Sequence, residues 1–142
     1  MDEWRPLKRV QGYLPIADHG LIGDGRTCAL VGRDGAVGFM CVPRFDSAPL
    51  FASLLDHRRG GGLLIAPARV VASRQRYVPD TGVLVTEMRG PEGGVEITDA
   101  FLLAPGAFGA GREDRTRGTS ATGARDARQR RVEDPPQPPL GR

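Results

Sequence analysis

Residues 23–47 have the sequence GDGRTCALVGRDGAVGFMCVPRFDS, and the predicted fold is built outward from this stretch. Two apolar arms, 27–31 and 37–42, flank Asp34-Gly35, a dipeptide typical of the type I′ turn, in which both central residues have positive φ. Such a turn fixes the register, so the numbers of opposed residues on the two strands should add up to 69. This register pairs Arg33 with Ala36, Leu30 with Phe39, and Cys28 with Cys41.

Both faces of the predicted hairpin are apolar. An antiparallel ribbon with one face in water alternates apolar with polar side chains, and a lone two-stranded ribbon is at best marginally stable. We therefore expect the hairpin to be covered on both sides, by other parts of the chain or by a neighbouring domain. One face carries Cys28, Leu30, Val37, Phe39 and Cys41, and the other carries Ala29, Val31, Met40 and Val42.

The predicted register also brings the two cysteines together. Cys28 and Cys41 would form a non-hydrogen-bonded pair, where Cα atoms lie about 4.5 Å apart, at the short end of disulfide geometry. Two alternatives are open: reduced thiols, as is usual in a chain without a signal peptide, or a strained bridge that is easily reduced. Two thiols without a nearby pair of histidines fall short of a four-ligand zinc site.

The segment 46–60 predicts one short helix. Asp46 or Ser47 is placed to cap its first turn, and Pro49 is favoured at the first helical position. Two basic residues followed by glycine, at 58–60, are typical of a helix C-terminus. The apolar stripe of this helix would consist of Leu50, Phe51, Leu54 and Leu55.

The rest of the ordered pattern is extended. Apolar runs at 63–67, 83–89 and 95–101 predict strands, and the last of them alternates apolar with polar residues. The polar segment 73–82 is interpreted as an exposed connection. The ordered part, 1–105, is therefore predicted to be mainly β: a partial antiparallel β-sandwich with one short helix.

Residues 106–142 form a different region, rich in Arg, Gly and Pro. They are predicted to be a disordered tail, because they have too few apolar groups to offset the entropy of ordering. Residues 1–105 contain 12 basic and 12 acidic residues, so the net charge of +3 comes from the tail. A nucleic-acid-binding domain should carry its basic patch on the folded part, beside aromatic or base-reading groups, which argues against that class.

Membrane, cofactor and metal binding are not expected either. No apolar run approaches the roughly 20 residues of a membrane span, and residues 1–4 lack the features of a signal peptide. The glycines of 13–25 are not followed by the Gly-Lys-Ser/Thr of a phosphate loop, and His19 is interpreted as a structural histidine. The default expectation is a cytoplasmic protein without cofactor or metal.

Three motifs occur in an order that resembles a known family. They are PIADHGLIGDGRTCALVGRDG at 15–35, CVPRFDS at 41–47 and RYVPDT at 76–81. Together they resemble the N-terminal domain of trehalase-like and glucoamylase-like enzymes of glycoside hydrolase family 15. The resemblance covers residues 14–103.

This resemblance implies a β-sandwich that, in the family, precedes a linker and a large (α/α)6 barrel, where α-glucosidic bonds are hydrolysed with inversion. Inversion needs one carboxyl as general acid and another as general base, and in the family both belong to the barrel. The residues after Phe101 are too few to build a barrel of that size. The chain is therefore expected to be a non-catalytic fragment, inactive alone, that meets an α-glucoside substrate only alongside a glycosidase catalytic domain.

Arg44 and Asp46 are the candidate site residues. In the loop 43–47 they are placed to hold sugar hydroxyls or to contact the barrel through charge-assisted hydrogen bonds. The structural alternative is that Asp46 caps the helix, Phe45 fills the core and Arg44 pairs with a local acid. A second class of function is a free-standing sugar-binding or protein-interaction module, which would need an aromatic platform from a chain with 1 Trp and 2 Tyr.

Overall fold

The structure, a computed structural model, describes residues 3–101 and the backbone of strand 110–117. Within these residues, a single turn of 3₁₀ helix, Ile16–Asp18, precedes nine strands. In chain order the strands are β1 (His19–Gly23), β2 (Cys28–Gly32), β3 (Ala36–Cys41), β4 (Pro49–Phe51), β5 (Leu63–Leu64), β6 (Ala72–Tyr77), β7 (Leu84–Gly90), β8 (Gly93–Phe101) and β9 (Ala110–Arg117).

The strands form two antiparallel sheets that share one core. The first sheet has the order β1-β2-β3-β4, with β5 also paired to β3, and the second has the order β6-β7-β8-β9. Leu84 of β7 and Phe101 of β8 belong to the same buried cluster as the inner face of the first sheet. The prediction of a mainly β, antiparallel sandwich is therefore confirmed. The inner face of the first sheet consists of Ile22, Ala29, Val31, Val37 and Met40.

The turn of the central hairpin differs from the predicted type I′ turn. Gly35 donates its backbone N–H to the carbonyl of Gly32 at 2.9 Å, and Gly35 has a φ of 81°, whereas Asp34 does not have positive φ. This loop has the arrangement of a type I turn followed by a glycine bulge. It is one residue longer than predicted, so Val31 lies opposite Val37.

A second irregularity, at Gly38, shifts the register back. The ladder slips by one residue between Val31 and Leu30, which leaves Gly38 as the extra residue of a β-bulge. Beyond it, Leu30 lies opposite Phe39, as predicted. The bulge also turns Val37 into the core, onto the face opposite to the one that the simple alternation predicted.

The two cysteines are free thiols. Cys41 is buried and Cys28 is half-buried. The last matched pair of the β2–β3 ladder is Ala29 with Met40, one residue short of the cysteines. Of the two alternatives that the sequence left open, reduced thiols or a strained disulfide, the structure has the reduced thiols.

The helix predicted at 46–60 does not form. Pro49–Phe51 is strand β4, paired with the end of β3, and the residues after it make turns. A short helix gains most of its stability from packing its apolar face, and Leu50 and Leu55, half of the predicted stripe, stay exposed. Pairing with the free edge of β3 therefore outweighs the local helix signals.

Backbone hydrogen bonds after β4 explain the turns. Three successive backbone N–H groups donate to carbonyls elsewhere in the chain, so they cannot form the i to i−4 hydrogen bonds of a helix. Ala52 donates to Gly60 at 2.7 Å, Ser53 to Gly61 at 3.0 Å, and Leu54 to Gly38 at 2.9 Å.

The interpretation of 73–82 as an exposed connection is wrong, because its first half belongs to strand β6. Ala72–Tyr77 pairs with β7 along its full length, and Ser73 and Gln75 are completely buried. Gln75 Nε2 donates to the carbonyl of Val31 in the first sheet at 3.0 Å. The prediction failed because these inward-facing polar residues were interpreted as facing solvent.

Part of the stretch assigned to the disordered tail is a strand. Ala110–Arg117 pairs with β8 from Phe101 back to Gly94, so the sheet extends past residue 105. Backbone pairing at a sheet edge does not require an apolar sequence, which is why composition did not indicate it. The predicted disorder of the rest of 106–142 lies outside the described residues.

Candidate functional site

The candidate residues Arg44 and Asp46 meet at the surface as an ion pair. Arg44 Nε donates to Asp46 Oδ1 at 2.9 Å, and Arg44 Nη2 donates to Oδ2 at 3.3 Å. The two side chains are 64% and 55% exposed. The hydrogen bond from Arg44 lowers the pKa of the Asp46 carboxyl from its ordinary value, so this group stays charged at neutral pH. Arg44 thus pairs with a local acid, as the structural alternative expected.

Backbone hydrogen bonds hold the loop that carries the pair. Ser47 donates its N–H to the Arg44 carbonyl at 3.0 Å, and Phe45 donates to the Arg26 carbonyl at 2.9 Å. Asp46 caps no helix, because the helix is absent, and Phe45 is 65% exposed instead of filling the core. Two of the three structural roles expected for this loop are therefore wrong. Its charged pair and its exposed ring are accessible to a neighbouring molecule or domain.

A shallow groove of about 220 Å³ lies on the second sheet. We call it the Trp4 groove. Glu87 and Glu96 lie directly opposite each other on β7 and β8. The carboxylate of Glu87 accepts a hydrogen bond from Arg74 Nε at 2.6 Å. The groove is lined by Trp4, Glu87, Met88, Arg89, Gly94, Val95 and Glu96.

Trp4 itself is held by two guanidinium groups. That of Arg89 lies 3.7 Å from the centre of the indole ring, and that of Arg74 lies 5.0 Å from it. Cation–π contacts of this kind attach the N-terminal segment to the second sheet. The sequence did not indicate this contact, because the segment 73–82, which includes Arg74, was interpreted as an exposed connection.

Arg33 is a second residue whose role the sequence did not indicate. It was expected to pair with Ala36 at the hairpin, but its side chain is only 2% exposed. Its Nε donates to Asp18 Oδ1 at 2.9 Å, and its Nη1 donates to the carbonyls of Arg5 and Ser73, both at 3.1 Å. Arg33 therefore ties the hairpin to the 3₁₀ turn, to the N-terminal segment and to β6.

The carboxyl of Asp18 is the acidic partner in this network. Its pKa is lowered from the ordinary value, chiefly by the hydrogen bond from Arg33, while burial acts in the opposite direction. Arg5 Nη2 contacts the same carboxylate oxygen at 3.2 Å. Asp18 is thus a structural anion that remains ionised at neutral pH.

Four carboxyls of the described chain lack the environment that the general acid of an inverting hydrolysis needs. A general acid requires a raised pKa, but Asp18, Asp24, Asp46 and Asp56 all have lowered pKa values. For Asp24 and Asp56 the main cause is a backbone N–H donor, from Thr27 and Arg58 respectively. Glu87 and Glu96 face each other in the Trp4 groove, and Glu87, whose side chain is 15% exposed, forms an ion pair with Arg74.

His19 has a structural contact, as expected: its Nδ1 lies 3.0 Å from the carbonyl of Pro15. Among residues 3–101, no cluster of three His, Cys, Asp or Glu side chains is arranged to hold a metal ion. In the same residues, no helix has the length and apolar character needed to cross a membrane.

Comparison with known proteins gives the family. The model of the family "Trehalase-like, N-terminal" matches residues 8–131, which is most of the chain. The chain belongs to this family of trehalase-like N-terminal domains.

Three similar proteins are each named trehalase. The chain is 42% identical over 80 residues to one from Thermoplasma volcanium, 36% over 94 residues to one from Mycolicibacterium smegmatis, and 34% over 92 residues to one from Mycobacterium tuberculosis. These matches cover 55%, 66% and 64% of this chain, but only 13%, 14% and 13% of the relatives. No solved structure matches the chain.

Proposed function

We propose that the chain is the non-catalytic N-terminal domain of a trehalase- or glucoamylase-like enzyme of glycoside hydrolase family 15. In such an enzyme it acts in carbohydrate metabolism alongside a catalytic barrel that hydrolyses α-glucosidic bonds with inversion. The observation that carries this proposal is the family match over residues 8–131. It is supported by the fact that the segment shared with the trehalases is only 13% to 14% of their length.

The arrangement of acidic groups supports the non-catalytic role. Asp18 is committed to Arg33, Asp46 to Arg44, and Glu87 to Arg74, each by a hydrogen bond of 2.9 Å or less. A carboxyl that must gain and lose a proton during hydrolysis would need a partner-free, apolar setting that raises its pKa. These groups have the opposite environment.

The loop with Arg44 and Asp46 is proposed to contact the catalytic domain or the rim of its active site. Both side chains are more than half exposed, and their ion pair can exchange for other charge-assisted hydrogen bonds at low cost. The α-glucoside is then a partner of the assembled enzyme and not of this domain alone. We further propose a cytoplasmic setting, with neither nucleic acid nor membrane as partner.

A free-standing sugar-binding module is the second candidate. The Trp4 groove favours it, because an indole ring beside the carboxylates of Glu87 and Glu96 has the composition of a sugar site. Against it, the guanidinium of Arg89 lies 3.7 Å from the centre of the ring. A sugar would have to displace that contact in order to stack.

A glucose-release assay on the isolated chain tests the proposal. With trehalose, maltose or soluble starch as substrate, we expect no glucose above the blank. The variants Glu96→Gln and Asp46→Asn should give the same blank value. Turnover that either substitution abolishes would make this chain an enzyme in its own right and overturn the non-catalytic role.

A further inference from the structure

The two sheets of the sandwich have outer faces of opposite character. Strands β6, β7 and β8 carry Arg74, Arg76, Glu87, Arg89 and Glu96, whereas β1, β2 and β3 contain no Asp, Glu, Lys or Arg at all. A sheet with one face in water places polar side chains on that face. The second sheet follows this rule, and the first sheet has the sequence of one that is covered on both faces.

Three apolar residues form a row across the outer face of the first sheet. Leu21 of β1 lies opposite Leu30 of β2, which in turn lies opposite Phe39 of β3. We call these three residues the outer row. Leu21 is 55% exposed, whereas its neighbours Gly20 and Ile22 are buried against the core. Leu30 and Phe39 are half-buried.

The free edge of β1 beside this row is already capped. The hydroxyl of Tyr77 accepts a hydrogen bond from Leu21 N at 2.9 Å and donates one to Leu21 O at 2.8 Å. A partner therefore cannot add a strand at this position without displacing Tyr77. The face of the sheet, where the outer row lies, is not blocked by this cap.

We propose that the outer row is the surface on which the remainder of a trehalase-length chain packs. This inference rests on the proposed function. The relatives are long enough to supply such a cover, because the matched segment is only 13% to 14% of their length. Residues 118–142 of this chain are a poor alternative, since Val132 and Leu140 are their only large apolar side chains. A contiguous apolar patch on the surface is typical of an interaction site.

The test uses the full 142-residue chain with a tag, coexpressed with the Mycolicibacterium smegmatis trehalase shortened to begin after the segment that this chain matches. We expect the two polypeptides to copurify. Leu21→Lys should weaken their association at least tenfold. Leu55→Lys is the matched control, because Leu55 is 69% exposed but lies outside the row, and it should bind like the wild type. Loss of binding in both variants or in neither, or no binding by the wild-type chain, would overturn the proposal.

Measurements on the chain alone separate the other occupants. Sedimentation should show a monomer, and Leu21→Lys should leave the urea midpoint of unfolding unchanged. A dimer that Leu21→Lys dissociates would assign the row to a second copy of the chain, and a clear drop in the midpoint would show that the chain covers its own row. Either result overturns the proposal without touching the proposed function, which instead fails if the isolated chain releases glucose.

Discussion

Replacing the buried guanidinium of Arg33 should destabilise the domain strongly. Arg33→Met retains an apolar side chain of similar length but removes every donor. Asp18 Oδ1 and the carbonyls of Arg5 and Ser73 then lose hydrogen bonds of 2.9 to 3.1 Å. Ser73 is completely buried, so water does not easily replace the lost donor.

The size of the effect depends on the surroundings of Asp18. Removing one partner of a buried ion pair costs about 3 to 5 kcal/mol, because the other charge stays buried. Arg5, with a side chain 45% exposed, still contacts Asp18 at 3.2 Å and compensates in part. We therefore expect a loss of about 3 kcal/mol, out of the roughly 5 to 15 kcal/mol typical of a domain. With a urea m-value of about 1 to 3 kcal/mol per M, the midpoint should fall by about 1 to 3 M.

Urea unfolding followed by circular dichroism at pH 7 measures this change. Arg44→Met is the matched control, because it makes the same substitution in an exposed ion pair and should leave the midpoint unchanged within error. The double variant Asp18→Asn/Arg33→Met should lose less stability than the two single variants added together, because both break the same contact. Equal midpoints for Arg33→Met and Arg44→Met would refute the reasoning.

Three further predictions concern the same framework. In the folded domain the pKa of the Asp18 carboxyl is lowered below its ordinary value of 3.8. The stability that this carboxylate contributes is therefore complete above that pH and is lost as the pH falls through the folded pKa. Urea midpoints measured between pH 2 and 7 should accordingly fall less steeply at the acid end in Asp18→Asn than in the wild type. Tyr77→Phe removes both hydrogen bonds to Leu21, which should cost about 1 kcal/mol and speed hydrogen exchange at the Leu21 amide, and unchanged exchange would contradict the edge cap. Gly35 and Gly25 have similar positive φ values, 81° and 83°, but only at Gly35 would an added Cβ meet a backbone atom, the carbonyl oxygen of Ile65 at 2.1 Å. Gly35→Ala should therefore unfold at a lower urea concentration than Gly25→Ala. Equal midpoints would argue against that close contact.

The hairpin register could be predicted from the sequence, but partly through two errors that cancel. Asp34-Gly35 was interpreted as a two-residue turn, whereas the loop is one residue longer and has its only positive φ at Gly35. The bulge at Gly38 then restores the predicted pairing of Leu30 with Phe39. Asp34-Gly35 is compatible both with a type I′ turn and with a type I turn followed by a glycine bulge. In the longer loop that forms, Arg33 makes its long-range hydrogen bonds to Asp18, Arg5 and Ser73.

The proximity of Arg44 and Asp46 was predictable, because residues two apart in a tight loop readily form an ion pair. The absence of the helix after them was not predictable from local signals. Strand β4 forms because β3 offers a free edge, and that edge exists only in the assembled sheet. The Trp4 groove was missed for a similar reason, because Arg74, Glu87 and Arg89 surround Trp4 only after β6 and β7 have paired.

The stretch 23–47 carries two separate functions in the assembled domain. Its turn contributes Arg33, whose hydrogen bonds join the first sheet to β6 and to the N-terminal segment. Its two strands contribute Leu30 and Phe39, which lie outside the buried cluster that the two sheets share. A buried network that fixes one sheet against the other also fixes the direction in which the outer row faces. For the proposed role beside a catalytic domain, an outer face with a fixed direction would reduce the entropy lost on docking.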